Sequence, residues 1–562
     1  MLRAIDLRRQ GRDEELWQMC CGFLSLNLNE FMEIQKSLLL HQLELLDNSP
    51  LGRKIMHGAS PKTVGEFRQL VPLTSYKDYC PELLEQREDI LPAKPEVWAH
   101  SSGRSGEYPC KWVPLSSDYI QELSKILYGV GLLSGCKDWG DIPNTPDTYK
   151  LLYAVAPRPY MSGTFADVIR MQTPVKYLPD LEKAEGLSYE ERIAAGFKQA
   201  LSEGMDYFFG LSLVLVKVGE KFRDSTSKVD FRQYLSQPRA LWRLLRGFIK
   251  SRLAGRQLLP KDLWSLKGIL CGGIDSSVYK EKIKELWGKM PLDSYCSTEG
   301  GVIATQTWDY EGMTFIPNLN FLEFIPEAEL LKWQMDRSYK METLLLDEVE
   351  PDENYEIVIT GLHGSSFVRY RMGDMIRITS LRNDKLGINI PQMAFERRVD
   401  DVIDFVFVRL TEKSIWQAIE KSGVPYDDWV AFRNIGEAEL RILIEPKDGL
   451  NINEDDLSQT LYRELTKADE KAKTLIPGEY ANMMDFKVRV SYLPKGTFDN
   501  YTAQRQAEGA DLAHLKPPHI NPSDKVLSIL LGETEETIVV TKIGKVAQSV
   551  STSVKTAKTI VL

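Results

Sequence analysis

Apolar residues recur at helical spacing near the start of the chain. The pattern runs through residues 11–47 and predicts helices. Its members are Leu16, Phe23, Leu24, Phe31, Ile34, Leu38 and Leu39. We interpret this segment as helix packed on the main domain rather than as a membrane anchor.

Between about residue 95 and residue 395, short β-rich runs alternate with helical patterns. The runs that end in turn residues predict strands; they are "KLLYAVAP", "LKGILCGG", "LNFLEFIP" and "NYEIVITGL". The stretch "YKEKIKELWGKM" (279–290) predicts a helix. The run "YFFGLSLVLVKV" from Tyr207 is too short to span a bilayer and predicts a buried strand or a core helix. This alternation is typical of an α/β domain with sizeable sheets.

The pattern resets after about residue 400. Strands are predicted by "VIDFVFVRL", "DWVAFRNI", "AELRILIEP" and "DFKVRVSYLP". Helices are predicted by "TEKSIWQAIEKSG", with Thr411 as its cap and a glycine at its end, and by "NEDDLSQTLYRELTKADEK". Together they predict a small α+β domain. Residues 531–562 show no clear period and predict a tail, either disordered or available for pairing.

Composition narrows the class of protein. The chain has 562 residues, 43% of them hydrophobic and 27% charged, with a formal net charge of −10. Such a length predicts more than one domain. An acidic chain with no long Lys/Arg run is not expected to bind nucleic acid or an anionic membrane. The seven scattered cysteines predict a reducing compartment and no structural metal, and "MLRAIDLRRQGRDEELW" lacks the core of a signal peptide. We therefore expect a cytoplasmic protein.

The stretch "HSSGRSGEYPCKW" (100–112) is the first candidate for chemistry. It follows a predicted short strand, "EVWAH", and places glycines and hydroxyl residues in a bare polar loop. Glycines let a backbone approach an anion closely, so the loop could cradle a phosphate. It differs from a P-loop because Lys111 lies well past Gly106 and is followed by Trp112 rather than by Ser or Thr. From these residues alone, a solvated turn remains the alternative.

Two further stretches place polar groups in compact turns. "DSYCSTEGG" (293–301) sets hydroxyls beside a carboxylate, which suits Mg²⁺ held against phosphate oxygens; a capped, exposed turn is the alternative. "FVRYRMGDMIRI" (367–378) places Asp374 after a tight glycine turn between two apolar runs, where it could accept the hydroxyls of a ribose. A hairpin-turn aspartate is the alternative there. Gly272 and Gly273 end a predicted strand and allow close approach of a flat ring.

Together and in this order, these segments resemble the adenylate-forming (firefly luciferase-like) superfamily, and more narrowly the auxin-responsive acyl acid amido synthetases. Residues 101–105 resemble that family's Ser-Ser-Gly-Thr-Ser loop. Tyr295 to Glu299 resembles its Tyr-x-Ser-Ser-Glu motif, and Tyr370 to Asp374 its Tyr-Arg-x-Gly-Asp motif. The flanks "EFRQLVPLTSYKDY", "FIPNLNFLEFIP" and "GTFDNYTAQRQAEGADLAHLKPPHI" are also similar.

Three positions depart from the family pattern. Arg104 stands where the loop has threonine, which removes a hydroxyl donor and adds a fixed positive charge. Thr298 replaces the second serine before Glu299 and keeps the hydroxyl. Lys516 is followed by two prolines rather than by Pro-Arg.

The resemblance implies the adenylate-forming fold: a large α/β domain with mixed sheets flanked by helices, and a small mobile α+β domain. We expect the large domain over residues 1–395, with a helical segment over 1–60. A hinge is expected over 396–404 and the small domain over 405–530, followed by the tail.

The resemblance also implies a two-step ligase. A carboxylic acid would attack the α-phosphorus of ATP to give an acyl-adenylate and pyrophosphate, and the amine of an amino acid would then displace AMP. Because two anions must meet, the site needs positive charge and fixed geometry. The expected partners are ATP, Mg²⁺, a small carboxylic acid and an amino acid. The protein itself is expected to be a monomer or a weak homo-oligomer.

The resemblance assigns the loop and Lys111 to the β/γ-phosphates, Glu299 to Mg²⁺ and Asp374 to the ribose. The residues expected to bind ATP are Ser101, Ser102, Gly103, Arg104, Ser105, Gly106, Lys111, Gly272, Gly273, Tyr295, Ser297, Thr298, Tyr370, Asp374 and Arg398. Lys516, from the small domain, is expected to act at the α-phosphate, with Asp400 at the hinge. Arg158 is the candidate for the carboxylate of the acid.

Three functions stay open from the sequence. The first is the amide ligase, which the motif flanks favour. The second is an acyl- or aryl-CoA ligase that shares the adenylation step. The third is a nucleotide-binding sensor without catalysis, and the retention of Glu299, Asp374 and Lys516 argues against it.

Overall fold

The chain divides into two compact units. The computed structural model describes residues 2–101, 110–144, 146–184, 187, 189–225, 236–272, 276–336, 338–399, 402–405, 409–434, 438–447, 452–466, 486–507, 517, 519–522 and 524–533. The first unit takes Met1–Ser102 and Cys110–Val399, and the second takes the residues from Asp400 on.

The first unit alternates helices and strands. Its helices are α1 (Ala4–Arg9), α2 (Asp13–Cys21), α3 (Leu28–Asp47), α4 (Pro50–Ile55), α5 (Val64–Leu70), α6 (Ser117–Gly135), α7 (Met161–Gln172), α8 (Leu181–Ala184), α9 (Tyr189–Glu203), α10 (Ser212–Ser225), α11 (Pro238–Leu253), α12 (Pro260–Leu263), α13 (Ser276–Trp287) and α14 (Glu327–Met335). Its strands are β1 (Pro95–His100), β2 (Trp112–Ser116), β3 (Tyr149–Ala154), β4 (Val175–Leu178), β5 (Tyr207–Leu211), β6 (Gly268–Gly272), β7 (Leu292–Ser297), β8 (Gly301–Thr305), β9 (Met313–Phe315), β10 (Asn320–Pro326), β11 (Asn354–Gly361), β12 (Tyr370–Ser380) and β13 (Gln392–Arg398).

One large mixed sheet organises this unit. Its strand order over the described residues is β10-β11-β12-β13-β9-β8-β7-β6-β5-β3-β4. Strands β3 to β7 pair in parallel, and intervening helices make the crossovers that parallel pairs require. From β7 outward to β10 the pairing is antiparallel. Strand β7 therefore joins the two halves, and the predicted α/β class is confirmed.

Aromatic side chains fill the core between the parallel half and its helices. Trp264 and Trp287 stack with ring centroids 5.8 Å apart, and Phe208 is fully buried beside them. Helix α10 approaches α13 closely at Gly219, where an added Cβ would lie 2.7 Å from Leu286 Cδ1. A small residue at this crossing lets the two helices pack at the density of a protein interior.

Local signals decide two places where the predicted elements differ from the structure. The predicted helix over 11–47 is divided, because Asn27 and Glu30 form a reciprocal capping box that starts α3 afresh. The run from Tyr207 is neither a strand nor a helix alone: it forms β5 and then turns directly into α10.

The glycine turn predicted before Asp374 is wrong. Residues on both sides of Gly373 belong to one continuous strand, β12, which shifts register against β11 between Glu356 and Val358. Gly373 has φ +68°, a left-handed conformation that glycine adopts without a side-chain clash. The glycine makes a bulge within the strand, which re-aims the neighbouring side chains without reversing the chain.

The second unit is smaller. Its elements are β14 (Val402–Asp404), β15 (Arg409–Thr411), α15 (Glu412–Ser422), β16 (Tyr426–Asn434), β17 (Glu439–Pro446), α16 (Glu454–Thr466), β18 (Lys487–Tyr492), α17 (Thr497–Ala507) and α18 (Asp524–Leu531). Strand β17 is central, antiparallel to β16 and parallel to β18. Helix α15 ends at Ser422 and is followed by Gly423, whose φ is +71°, as its sequence predicts. Across the described parts of both units, no helix is both long and apolar enough to cross a bilayer.

A buried ion pair holds the residue that precedes β12. Arg369 and Glu323, whose side chains are 3% and 0% exposed, are joined by guanidinium-to-carboxylate hydrogen bonds of 2.8–3.2 Å. The Arg369 Nη1 also donates to the carbonyls of Arg68 at 2.7 Å and Val71 at 2.5 Å. The buried charge is therefore satisfied on several sides, as an ion in a protein interior requires.

Backbone pairing extends this anchor to the first residues of β12. The N–H of Thr74 donates to the carbonyl of Arg369, and the N–H of Arg371 donates to the carbonyl of Thr74, both at 2.9 Å. The chain around Tyr370 is thus clamped between the sheet and the segment at Thr74.

We predict that Arg369→Met destabilises the first unit by about 3–5 kcal/mol, because the Glu323 carboxylate would stay buried without its partner. The measurement is urea unfolding followed by tryptophan fluorescence. The matched control is Lys385→Met, whose ion pair with Glu311 is 59% and 70% exposed. Its cost should stay below about 1 kcal/mol. Equal costs for the two variants would contradict the anchoring role.

Candidate active site

The carboxyl ends of β6 and β7 lie at the same edge of the large sheet. The two strands pair in parallel, with Leu270 opposite Leu292 and Cys271 opposite Asp293. Strand β6 ends at Gly272 and β7 at Ser297. In sheets with parallel strands, ligands bind outside this edge. The candidate motif that ends in Glu299 is therefore placed where such folds carry their sites.

The turn after β7 positions Glu299. The Gly300 N–H donates to Ser297 Oγ at 2.8 Å, which closes the turn. Gly301 then starts β8 with φ +64°, and an added Cβ there would lie 2.6 Å from the Tyr119 hydroxyl. Both the backbone conformation and the space require glycine at Gly301. The turn is therefore closed on both sides of the carboxylate.

A cation, a phenol and a carboxylate form one row at this edge. Lys111 Nζ donates to the Tyr370 hydroxyl at 3.4 Å, and that hydroxyl donates to Glu299 Oε1 at 3.4 Å. Lys111 Nζ also lies 5.6 Å from the centroid of the Tyr76 ring. Burial and the Glu299 charge raise the pKa of Tyr370 well above its ordinary value. The phenol therefore stays protonated and acts as a fixed donor.

A second phenol, on β7, and a second carboxylate, on β12, form another set. The Tyr295 hydroxyl donates to Asp374 Oδ2 at 2.7 Å, and Arg398 Nε lies 3.1 Å from Asp374 Oδ1. Asp374 on β12 pairs with Arg398 on β13. Burial and the Asp374 charge raise the pKa of Tyr295. Two neighbours therefore hold the Asp374 carboxylate in one orientation.

The β1–β2 hairpin positions Lys111. His100 pairs with Trp112, and the Ser101 N–H donates to the Lys111 carbonyl at 3.0 Å. Tyr76 holds β2 by two hydrogen bonds. Its hydroxyl accepts from the Trp112 N–H at 2.7 Å and donates to the Trp112 carbonyl at 3.1 Å. These bonds hold in place the two ends of the segment that connects β1 and β2.

Residues 22–138 match the family model of the GH3 family N-terminal domain, and residues 313–398 match that of the GH3 family central domain. Two segments of the chain thus match domain models of the GH3 family. The resemblance read from the motifs is therefore confirmed. The N-terminal GH3 domain contains Tyr76 and Lys111, and the central one contains Tyr370, Asp374 and Arg398.

Curated relatives match over shorter stretches. The 4-substituted benzoates-glutamate ligase GH3.12 of Arabidopsis thaliana is 26% identical over 247 residues, which are 41% of this chain and 39% of the relative. The probable indole-3-acetic acid-amido synthetase GH3.9 of Oryza sativa subsp. japonica is 32% identical over 111 residues, which are 19% of this chain and 22% of the relative. The matched stretches thus span well under two thirds of either relative.

Solved structures match over most of the chain. The acyl acid amido synthetase AtGH3.15 in complex with 2,4-DB is 17% identical, with a TM-score of 0.51 over 92% of this chain and 95% of that one. A 2-hydroxyisobutyryl-CoA ligase in its thioesterification state is 15% identical, with a TM-score of 0.50 over 81% and 85%. Likeness at these identities shows the fold, which is that of adenylate-forming enzymes.

The structure brings most of the described candidate residues of the GH3 motifs together. They form the row of Lys111, Tyr370 and Glu299 and the adjoining set of Tyr295, Asp374 and Arg398. The remaining described members stand at strand ends or in the turn after β7; they are Ser101, Gly272, Ser297 and Thr298. Outside the described residues lie Ser102, Gly103, Arg104, Ser105, Gly106, Gly273, Asp400 and Lys516.

Arg158 is engaged elsewhere. Its guanidinium forms an ion pair of 2.7 Å with Asp167, and its side chain is 54% exposed. In the part of the chain that the structure describes, no hydrogen bond or ion pair joins it to Glu299 or Asp374. Its role toward the acid stays a prediction.

Sequence reasoning missed Tyr76. The residue lies in "EFRQLVPLTSYKDY", a segment whose resemblance to the family singles out no residue. Its role depends on two hydrogen bonds to Trp112 in β2, far along the chain. Thr74, in the same segment, was missed for the same reason. The signal that could have found both residues was their place within a segment that resembles the family.

In the second unit, two carboxylates hold the ring of His519. Its Nδ1 lies 2.6 Å from Glu412 Oε1 and its Nε2 lies 2.8 Å from Asp428 Oδ1. The ring stacks on Trp429, with centroids 4.6 Å apart. The hydrogen bonds to Asp428 and Glu412 raise the pKa of His519 above its ordinary 6.5, although burial opposes them.

We predict a pH-dependent stability of the second unit. Because the pKa of His519 is raised on folding, its contribution is fully present below about pH 6.5 and is lost as pH rises through the folded pKa. The urea midpoint of this unit should therefore fall as pH rises above that value, and His519→Gln should remove this fall. His41→Gln, at a side chain 66% exposed, is the control and should keep it. A fall of equal size in both variants would contradict the assignment.

Proposed function

We propose that this chain is an ATP-dependent ligase that joins a carboxylic acid to an amino acid through an acyl-adenylate. The observation that carries the proposal is the pair of carboxylates at the carboxyl edge of the sheet. Glu299 and Asp374 are each hydrogen-bonded to a buried tyrosine. Lys111 donates to Tyr370, the tyrosine that contacts Glu299. This arrangement offers one anionic position for a metal, another for hydroxyl groups, and a cation for phosphate.

In the first half-reaction, an oxygen of the substrate carboxylate attacks the α-phosphorus of ATP. The new P–O bond forms as the bond to pyrophosphate breaks, and pyrophosphate leaves. Lys111, with the loop from Ser101 to Gly106, would neutralise the β/γ-phosphates so that two anions can approach. Lys516 would supply the positive charge at the α-phosphate. Gly272 and Gly273 would leave room for the adenine.

Asp374 would bind the ribose. One of its oxygens already accepts from Tyr295 and the other faces Arg398, so the carboxylate is held in one orientation. A carboxylate held in this way is a suitable acceptor for the two hydroxyls of the sugar. Ser297 and Thr298, in the turn after β7, would line the nucleotide beside it.

Glu299 fits a role in holding Mg²⁺. That ion keeps several waters and is commonly bound by one or two carboxylates together with substrate phosphates. Among the described residues, no group of three or more His, Cys, Asp or Glu side chains could hold a metal. Phosphate oxygens would therefore complete the ligand set around Glu299. Bound there, Mg²⁺ would neutralise charge on those oxygens.

In the second half-reaction, the amine nitrogen of an amino acid attacks the acyl carbon of the adenylate. The C–N bond forms, the bond to the AMP oxygen breaks, and the amine loses a proton. The names of the curated relatives support an amino acid as acceptor, since they are a benzoate–glutamate ligase and an amido synthetase. The fold alone does not separate this acceptor from coenzyme A, because function depends on the acceptor site. Asp400 would act at the hinge, where the second unit begins.

We also propose a cytoplasmic location for the enzyme. All seven cysteines, each in the described part of the chain, are thiols rather than halves of a disulfide. Free thiols are typical of reducing compartments, where disulfides do not persist. A monomer or weak homo-oligomer that does not bind nucleic acid remains our expectation.

The experiment that tests the function is pyrophosphate release with ATP and Mg²⁺ against aryl, indolyl, benzoyl and fatty acids. Amino acids and coenzyme A are added in separate reactions. We expect acid-dependent release that turns over with an amino acid. Turnover with coenzyme A only would show a thioester-forming ligase instead. ATP binding without release for any acid would support a sensor that lacks catalysis.

We predict that Glu299→Gln slows acid-dependent pyrophosphate release by about a hundredfold or more, because the amide carries no charge for the metal. The Mg²⁺ concentration for half-maximal rate should rise, which a merely structural defect would not cause. The control is Glu311→Gln, at an exposed carboxylate paired with Lys385. An unchanged rate and Mg²⁺ requirement in Glu299→Gln would refute the role.

A further inference from the structure

Helix α11 presents an apolar stripe to solvent. Trp242, Leu245, Ile249 and Leu253 are 69%, 42%, 60% and 85% exposed. They are spaced three and four residues apart, which places them on one face of a helix. Single exposed apolar residues are common on protein surfaces, but a contiguous row marks an interaction site.

The opposite face of α11 holds the helix to the core. Its buried residues are Ala240, Leu244, Gly247 and Ser251. At Gly247 an added Cβ would lie 2.6 Å from Leu263 Cδ2, so the helix packs closely there. Arg243 Nη1 donates to the carbonyl of Ala200 at 3.2 Å and to that of Leu201. The apolar stripe therefore points outward from a helix that is fixed by its inner side.

Positive charge flanks the stripe. The helix "PRALWRLLRGFIKSRL" contains no acidic residue. Arg239, Arg246, Lys250 and Arg252 are exposed, and none forms an ion pair with any residue that the structure describes. At 100° per residue, the first three project on one side of the stripe and Arg252 projects on the other. The net charge of the chain is −10, but the surface of this helix is locally positive.

We propose that this outward face of α11 docks on an anionic lipid surface, with the helix lying in the plane of the interface. A helix with an apolar face, a Trp and flanking Lys/Arg has the chemistry of an interfacial anchor. Anionic headgroups attract the cations, and the four apolar side chains enter the headgroup boundary. A flat anionic surface meets the stripe and both flanks at once, whereas an acidic peptide would have to present acids on both of its edges.

This inference does not depend on the ligase activity. It also departs from the expectation drawn from net charge, because a total averages over the surface and binding depends on local charge. The helix does not span the bilayer in this proposal; one face of it rests on the membrane.

The test is co-flotation of the full chain with vesicles of phosphatidylcholine alone or mixed with phosphatidylserine. We expect binding to the anionic vesicles only, weakened by added salt. Trp242→Ser with Ile249→Ser should lower the partition coefficient about tenfold or more. Arg246→Gln with Lys250→Gln should lower it by a similar factor. Circular dichroism confirms that each variant is folded.

The matched control is Arg382→Gln with Lys385→Gln, at exposed cations outside α11. It should bind the anionic vesicles as the unmodified chain does. Absence of binding to anionic vesicles, or equal binding by all variants, would overturn the proposal. So would a concentration-dependent dimer that Trp242→Ser abolishes, since the face would then join two copies. Binding to an acidic amphipathic peptide in place of vesicles would assign the face to a protein partner.

Discussion

A guanidinium buried in the first unit constrains the structure around the candidate site. Arg369 is enclosed between Glu323 on β10 and the carbonyls of Arg68 and Val71. Leaving any of these groups unpaired in the interior would be costly, so the chain has one favourable arrangement at this point. Arg369 immediately precedes Tyr370, and Thr74 pairs with the backbone on both sides of that tyrosine. The ion pair thereby sets where the first phenol of the site points.

From that anchor, the polar groups of the site follow in two connected sets. The Tyr370 hydroxyl accepts a hydrogen bond from Lys111 and donates one to Glu299. The bulge at Gly373 brings Asp374 to Tyr295 and Arg398. Each tyrosine is buried and keeps its proton, so each acts as a donor of fixed position. Donors that are fixed before the substrate binds need little reorganisation when charge develops.

The surface of the chain shows that a total charge is a poor guide to local chemistry. The acidic sum includes one helix, α11, whose charged side chains are all basic. Its inner face packs through small and aliphatic residues, and the same helical spacing places the apolar stripe on the outer side. The two faces follow from one repeat of 3.6 residues, and only their environments differ.

The sequence by itself determined the α/β class, most of the strands and the three motifs, because alternating apolar runs and turn residues are local signals. It also determined which residue types are available at Lys111, Glu299 and Asp374. Only the tertiary structure decided which of them meet. The ion pair of Arg369 with Glu323 joins residues far apart in the chain, and so do the hydrogen bonds of Tyr76 to Trp112. The bulge at Gly373 depends on the register of β12 against β11. Which face of α11 is exposed was decided in the same way, since burial depends on what the rest of the fold places against a helix.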